Sequence, residues 1–431
     1  DKFTVNTSNG NGALTYPVGL ITADEIAMAG GVKESANSSY YLYTNQHYWS
    51  GTPESFYSGG DAFEYSVYPS GANNGYTVYY IRYGARPVIS LSSKAKLTGD
   101  GTWNNVFEVE KKGYETILAN NTVNETTPDF SAVATTNEGL FKAQDDLGTS
   151  YYFRGAVNNN WVKFGKDSSN KDIYWRIIRI NGDGSIRMIY SGTTAPTSST
   201  ATVMTGTGTQ IGTSTFNSSR DKAEYVGYMY TEGEQHGNST SSPIKTTLDN
   251  WYAGTTLKDN DLVADQIFCN DRSASTSDVA YSESNYTTLT SWNSTGTQYY
   301  YGTQGRLKDS KSPVLTCPTA SDKFTVNTSN GNGALTYPVG LITADEVAMA
   351  GGVENTDNTS YYLYTNQNYW SGSPCVFYSS GEDTEFIVYY PGNLNAYHSV
   401  YNDYGARPVV SLSSKAKLSG SGTYNDVYTV S

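Results

Sequence analysis

Tyr83-Gly-Ala-Arg-Pro-Val-Ile-Ser-Leu91 returns as Tyr404-Gly-Ala-Arg-Pro-Val-Val-Ser-Leu412, and the pair is one end of a much longer match. Residues 1–110 realign on 322–431 at a constant offset of 321 without a gap, so the chain holds two copies of one unit. From residue 1 to 31 the only change is Ile26 to Val347. Each opening block carries a helix signal: Thr22-Ala-Asp-Glu25 fits a capping box, the run to Ala29 continues it, and Gly30-Gly31 stops it. Residues 3–5, 40–43, 63–68, 76–83 and 87–91 are β-prone runs broken by Gly, Asn, Ser and Pro, which predicts short antiparallel hairpins.

Between the framework blocks the copies diverge: 20 of the 36 positions from His47 to Arg82 differ. The retained ones include Trp49, Pro53, Phe56, Tyr57, Gly60, Val67, Tyr68, Gly71, Tyr76 and Tyr80, which suit a scaffold. Loops drift in length as readily as in sequence. Heavy substitution without insertion therefore predicts side chains presented from a fixed backbone, the plainer alternative being a solvated segment under weak constraint. The positions expected to point outward and contact a ligand are Glu54, Ser55, Asp61, Phe63, Tyr79, Ile81 and Arg82 in copy one. In copy two they are Cys375, Val376, Glu382, Thr384, Val400, Asn402 and Asp403. Trp49 and Trp370 are expected in the core. Of the exchanged residues, only Glu54 and Glu382 lie beyond reach of an Asn codon by changing its adenines, which leans toward adenine-directed diversification.

The 39 Tyr, 13 Phe and 7 Trp supply apolar bulk, so a mean hydropathy of −0.51 does not imply disorder. With 41 acidic against 28 basic side chains the net charge is −13, a field that repels phosphate backbones and anionic lipid. Nucleic acid and membrane surfaces are excluded as expected partners. No apolar run approaches the roughly 18 residues of a membrane helix, and no signal h-region precedes Asp1, so any export segment is expected to have been removed.

Residues 111–128 read as a polar connector, and 129–321 have no second copy. The clearest element there is Tyr174-Trp-Arg-Ile-Ile-Arg-Ile180, the turn Asn181-Gly-Asp-Gly184 and Ser185-Ile-Arg-Met-Ile-Tyr190, a β-hairpin. Ile244, Leu248 and Trp251 share one face of a second expected helix. Residues 193–215, rich in Ser, Thr and Gly, read as a long exposed loop. Cys269 and Cys317 are candidates for a disulfide or for two separate thiols, and Cys375 reads as a surface accident.

Trp-Ser-Gly-x-Pro (49–53 and 370–374), the aromatic-rich variable stretch and the closing Tyr-Gly-Ala-Arg-Pro-Val-x-Ser-Leu together resemble bacterial, chiefly Firmicutes, surface proteins. These are similar in turn to the variable proteins of diversity-generating retroelements. Tyr151-Tyr-Phe-Arg-Gly155, the 174–190 hairpin and Ile267-Phe-Cys-Asn-Asp-Arg-Ser273 sit in the same order in that family. The resemblance implies an α+β fold of C-type-lectin-like modules, of the formylglycine-generating-enzyme-like branch: short antiparallel strands, a few short helices and long loops. It covers 129–431 as a complete module, with 129–321 as first half and 322–431 as second, and 1–110 as a detached second half. The variable palette of Tyr, Ser, Asn, Gly and Asp is that of adaptable binding surfaces. No Glu-Pro-Asn or Trp-Asn-Asp motif of calcium-dependent sugar binding is present.

The histidines do not repeat: His47 faces Asn368, His398 faces Thr77, and His236 stands alone. Asp24 and Glu25, repeated as Asp345 and Glu346, are explained by their place at a helix start. Glu64 and Glu385 read as strand-surface charge, Glu382, Asp383 and Glu385 as a solvated acidic turn, and Arg86 and Arg407 as buried structural arginines. The reading is of a non-enzyme without catalytic residues, metal or cofactor, located outside the cell or on a bacterial surface. Its expected ligand is a surface protein or glycan. The alternative is a pilus or fibre subunit whose half-module docks on a neighbour's 129–321 surface and makes a head-to-tail homopolymer.

Overall fold

The computed structural model describes every residue except 1, 80, 81, 94, 110, 276–291, 293–297 and 379. The chain divides into two compact units, Asp1–Glu110 and Lys111–Ser431. Both consist mainly of short strands with a few short helices, an α+β make-up.

In the second unit the predicted hairpin lies at the centre of the larger sheet. Asp172–Ile180 and Ile186–Tyr190 pair antiparallel, with Trp175 opposite Tyr190 and Ile177 opposite Met188. Across the hairpin's other edge lies Val409–Leu412 from copy two, Val410 opposite Met188 and Leu412 opposite Ile186. The outer edge of Val409–Leu412 pairs with Val263–Ala264, so the framework motif Arg-Pro-Val-Val-Ser-Leu becomes an interior strand. A near-continuous apolar run is what an interior strand requires; Val409, Val410 and Leu412 are fully buried. On the far side the sheet continues through Gly148–Gly155 and Asn137–Asp145 to Val123–Asn124.

A smaller sheet is built on the hairpins of copy two, Tyr369–Tyr378, Glu382–Val388 and Leu394–Ser399. Tyr299–Tyr300 and Thr213–Thr215, from the stretch without a repeat, complete it. Each sheet thus mixes strands from 111–321 with strands from 322–431, and the two halves share one hydrophobic core.

Two sequence readings change. Residues 111–128 are not a free connector: Gly113–Ala119 is a helix with Ile117 fully buried, and Val123–Asn124 extends the larger sheet. Tyr114, Ile117 and Leu118 form an apolar stripe of helical spacing that the polar composition hid. Residues 193–215 end in the strand Thr213–Thr215. Helix Pro243–Ala253 forms as predicted, with Ile244, Leu248 and Tyr252 buried and Trp251 half-buried. Cys269 and Cys317 form a disulfide with Cα atoms 5.6 Å apart, closing a separation of 48 residues. The loop-entropy account of such a closure gives about 4 kcal/mol.

The first unit shows what the same sequence does by itself. Helix Ala23–Met28 has the predicted capping box, Glu25 N donating to Thr22 Oγ1 at 3.2 Å and Thr22 N to the Glu25 carboxylate at 2.8 Å. Tyr48–Phe56, Ala62–Val67 and Asn73–Thr77 form a three-stranded sheet. Among the described residues, the core cluster beneath it comprises Ile26, Tyr40, Tyr48 and Val67, with four half-buried neighbours. Residues 3–5 and 87–91, predicted as strands, are irregular here apart from one bridge between Gly19 and Val88. Their twins in copy two, Lys323–Phe324 and Val409–Leu412, are strands because residues 111–321 supply partner edges. Strand propensity is realised only against a neighbour. Residues 40–43 are a turn in both copies, Tyr43 N donating to Tyr40 O as Tyr364 N does to Tyr361 O.

Candidate ligand-binding face

Four of the seven copy-two positions expected to face outward are inside. Cys375, Val376 and Val400 are fully buried and Thr384 nearly so. Tyr299–Tyr300 pairs onto Tyr369–Tyr378 and covers it, placing Tyr300 opposite Val376. Cys375 Sγ lies 3.3 Å from Gln304 Oε1, and burial pushes its thiol far above the usual range, so it is neither a surface accident nor a nucleophile. Thr384 Oγ1 donates to Val376 O at 2.8 Å and accepts from Val376 N at 3.1 Å, a side-chain clasp between paired strands. Asn217 N donates to Val400 O at 2.9 Å, so Val400 too is under a segment of 111–321. At these four positions divergence between the copies goes with burial and reflects what each copy packs against.

Glu382, Asn402 and Asp403 do reach the surface. Glu382 pairs with Arg220 at 3.2 Å, and Asp403 accepts from Thr213 Oγ1 at 2.9 Å. In copy one Asp61, Tyr79 and Arg82 are exposed, whereas Glu54, Ser55 and Phe63 are half-buried. Glu54 bridges Lys33 at 3.2 Å and Ser55 at 2.7 Å, and Phe63 packs edge-on against Tyr57 at 5.0 Å. Ile81 lies outside the described residues. Trp370 is in the core, and its twin Trp49 is half-buried.

Copy two also carries an aromatic cluster, half-buried apart from the exposed Tyr390 and the buried Trp370. His398 Nδ1 is 2.8 Å from Tyr404 Oη and its Nε2 is 3.0 Å from Asn395 Oδ1. Its ring sits 5.7 Å from Tyr389 and 5.3 Å from Tyr404, Tyr390 packs on Tyr389 at 4.6 Å, and Trp370 underlies Tyr404 at 4.9 Å. Burial lowers the His398 imidazole to about 4, so at neutral pH the cluster carries no imidazolium charge. In copy one the twin of His398 is Thr77, yet His47 enters between the corresponding Tyr68 and Tyr83, at 4.6 and 4.2 Å. A histidine between the same two tyrosines, supplied from different positions, was legible only as two unrelated differences at 47/368 and 77/398. Position-by-position alignment dismisses such a swap.

Buried charge dominates the contact between the two halves. Glu346 forms an ion pair with Arg187 at 2.6 Å and accepts from Arg179 at 2.9 Å, and Asp345 holds Arg306 at 3.0 Å. Arg179 also meets Asp145 at 2.7 Å, and Arg306 meets Asp271 at 2.7 Å. The space among these groups is about 30 Å³, room for one or two waters, so the cluster joins the halves and is not a ligand pocket. Capping explained Asp345 and Glu346 from sequence; Arg179 and Arg187 inside an otherwise apolar hairpin were the missed signal. Arg407, the expected buried arginine, donates to Tyr190 O at 2.9 Å and Leu363 O at 3.2 Å and lies 4.6 Å over Tyr369. His236 is not a lone surface residue but sits 2.9 Å from the buried Asp322, which also pairs with Arg272 at 2.7 Å.

Asp383 and Glu385 likewise leave the surface role expected of them. Both are fully buried; Val226 N donates to Asp383, and neither Glu385 oxygen has a hydrogen-bond partner among the described residues. Burial, and then the neighbouring Asp383, hold the Glu385 carboxyl well above the usual range, which favours its protonated form in the fold. A raised folded value stabilises fully below the unfolded pKa near 4.3 and loses that contribution as pH climbs. The melting temperature of the protein is therefore expected to fall from pH 4.5 to pH 8, and Glu385→Gln to flatten the fall. Parallel pH profiles for the two proteins, measured by calorimetry, would show that Glu385 is ionised in the core.

Among the described residues no helix is long and apolar enough to cross a membrane. No family model matches the chain, and no curated protein or solved structure matches it.

Proposed function

We propose that the chain is a non-enzymatic binding protein of adhesin type, displayed outside the cell or on a bacterial surface, built from C-type-lectin-like modules. The observation that carries this reading is the face left exposed in copy two: Tyr390, Tyr401, Asn402 and Asp403 around the His398–Tyr404 pair. Large aromatic rings, an amide and a carboxylate on a hydrogen-bonded hairpin give rigid contact area with adaptable polar groups, which suits a protein or glycan surface. Two further points support a non-enzyme. Two cysteines are spent in a disulfide and the third is buried, while each histidine is held by aromatic rings or by the buried Asp322.

The test is binding of the full chain to an immobilised array of host glycans and host surface proteins. Replacing Tyr390, Tyr401, Asn402 and Asp403 with Ala is expected to cut the captured signal at least tenfold while each exposed change moves stability by under about 0.5 kcal/mol. Absence of any captured ligand, or a signal untouched by the four changes, would overturn the reading.

A further inference from the structure

We propose that the first unit is a docking surface for a polypeptide of the chemistry of residues 111–321 that lies outside these 431 residues. The occupant is received by adding its β-hairpin to the open edge at residues 87–91. This goes beyond the ligand-binding reading and stands or falls separately from it.

The evidence is a comparison of one sequence in two settings. Val88, Ile89 and Leu91 are 38%, 66% and 54% exposed, while Val409, Val410 and Leu412 are 0%. Phe3 and Met28 behave alike, at 61% and 88% against 0% and 4% for Phe324 and Met349. In copy two Val409–Leu412 pairs with Ile186–Tyr190 and Phe324 with Phe268, while Met349 packs with Phe141 and Tyr152. Exposed apolar surface of this extent marks an interaction site, and the strand pairing that the same sequence makes in copy two sets its mode, main-chain pairing.

Charge names the same occupant. Asp345 and Glu346 are met by Arg306, Arg179 and Arg187. Their twins Asp24 and Glu25 are exposed and make no ion pair among the described residues. Two unpaired carboxylates at these positions are complementary to a partner that bears the arginines met in copy two.

Within these 431 residues the head-to-tail homopolymer expected from sequence brings no net burial. The 431 residues contain one first half and two second halves. If the first unit of one molecule displaced copy two of another, it would expose one surface for each it covered. Such exchange gains nothing, and copy two keeps the advantage of being tethered to its own partner at high effective concentration. Only a first half from elsewhere lowers the exposed apolar area.

The experiment co-expresses the tagged full chain with a separate polypeptide of residues 111–321. A synthetic hairpin of residues 172–191 serves as a second probe that does not rely on folding the larger one. Expected results are one-to-one capture of the polypeptide and saturable binding of the hairpin. Both should weaken at least tenfold in a chain carrying Ile89→Asp and Leu91→Asp, exposed positions whose change spares the fold. Hydrogen exchange should show protection gained at 88–91 with none lost at 409–412. Failure of both probes to bind overturns the proposal. So does equal binding to the double variant, exchange localised at 409–412, or filaments of the full chain alone by electron microscopy.

Discussion

Amide hydrogens at residues 410–412 are expected to exchange at least ~10³-fold more slowly than those at 89–91, although the two stretches differ only at Ile89/Val410. Val409–Leu412 lies between Ile186–Tyr190 and Val263–Ala264, so both its edges are bonded and opening it requires disrupting the main core. Residues 89–91 carry solvent-exposed side chains and belong to no strand. A difference of ~10³ corresponds to about 4 kcal/mol in opening free energy, a large part of the stability of an ordinary domain. Because intrinsic exchange rates of near-identical peptides are nearly equal, the ratio reads tertiary context alone. Equal protection, measured by mass spectrometry on the full chain, would mean that the first unit is already covered in solution.

Glu346→Ala is expected to cost about 3–5 kcal/mol, and its repeat twin Glu25→Ala under about 1 kcal/mol. Both residues close the same capping box. Only Glu346, not Glu25, also pairs with two arginines that are at most 9% exposed, and its removal leaves the buried Arg187 without its carboxylate and Arg179 with Asp145 alone. Burial pushes the Glu346 carboxyl up, but Arg187 and then Arg179 outweigh it and hold the group below its usual range. A depressed folded value stabilises above the unfolded pKa near 4.3 and is lost as pH falls through the folded one. The penalty of Glu346→Ala should therefore shrink on acidification below pH 4, the opposite trend to Glu385→Gln. Urea unfolding followed through the buried Trp161, Trp175 and Trp370 reports on the second unit. Equal penalties for the two twins would show that the arginine contacts contribute nothing beyond the cap.

The candidate site was only partly legible. Glu382, Asn402 and Asp403 reach the surface, but Cys375, Val376, Thr384 and Val400 do not, because Tyr299–Tyr300 and the segment at Asn217 pack on them. Nothing in residues 369–403 reveals those neighbours, which lie some 70 to 180 positions earlier in the chain. The His398 cluster escaped for a related reason: a residue type was kept at a place in space while its position in the chain changed.

Local order was determined by sequence: the capping box at Thr22 and Thr343, the turn at Asn181 and the helix face of Ile244 and Leu248 form as their spacing dictates. These depend on hydrogen bonds and side chains within a few residues of one another, and so both copies of the helix form regardless of surroundings. Whether Pro-Val-x-Ser-Leu is an interior strand or an exposed strip, whether Asp-Glu at a helix start is a cap or half of an ion-pair lattice, and whether a divergent residue faces solvent or core were decided by tertiary structure. A strand edge, a carboxylate and an apolar side chain each need a partner to become buried, and residues 111–321 supply that partner to copy two.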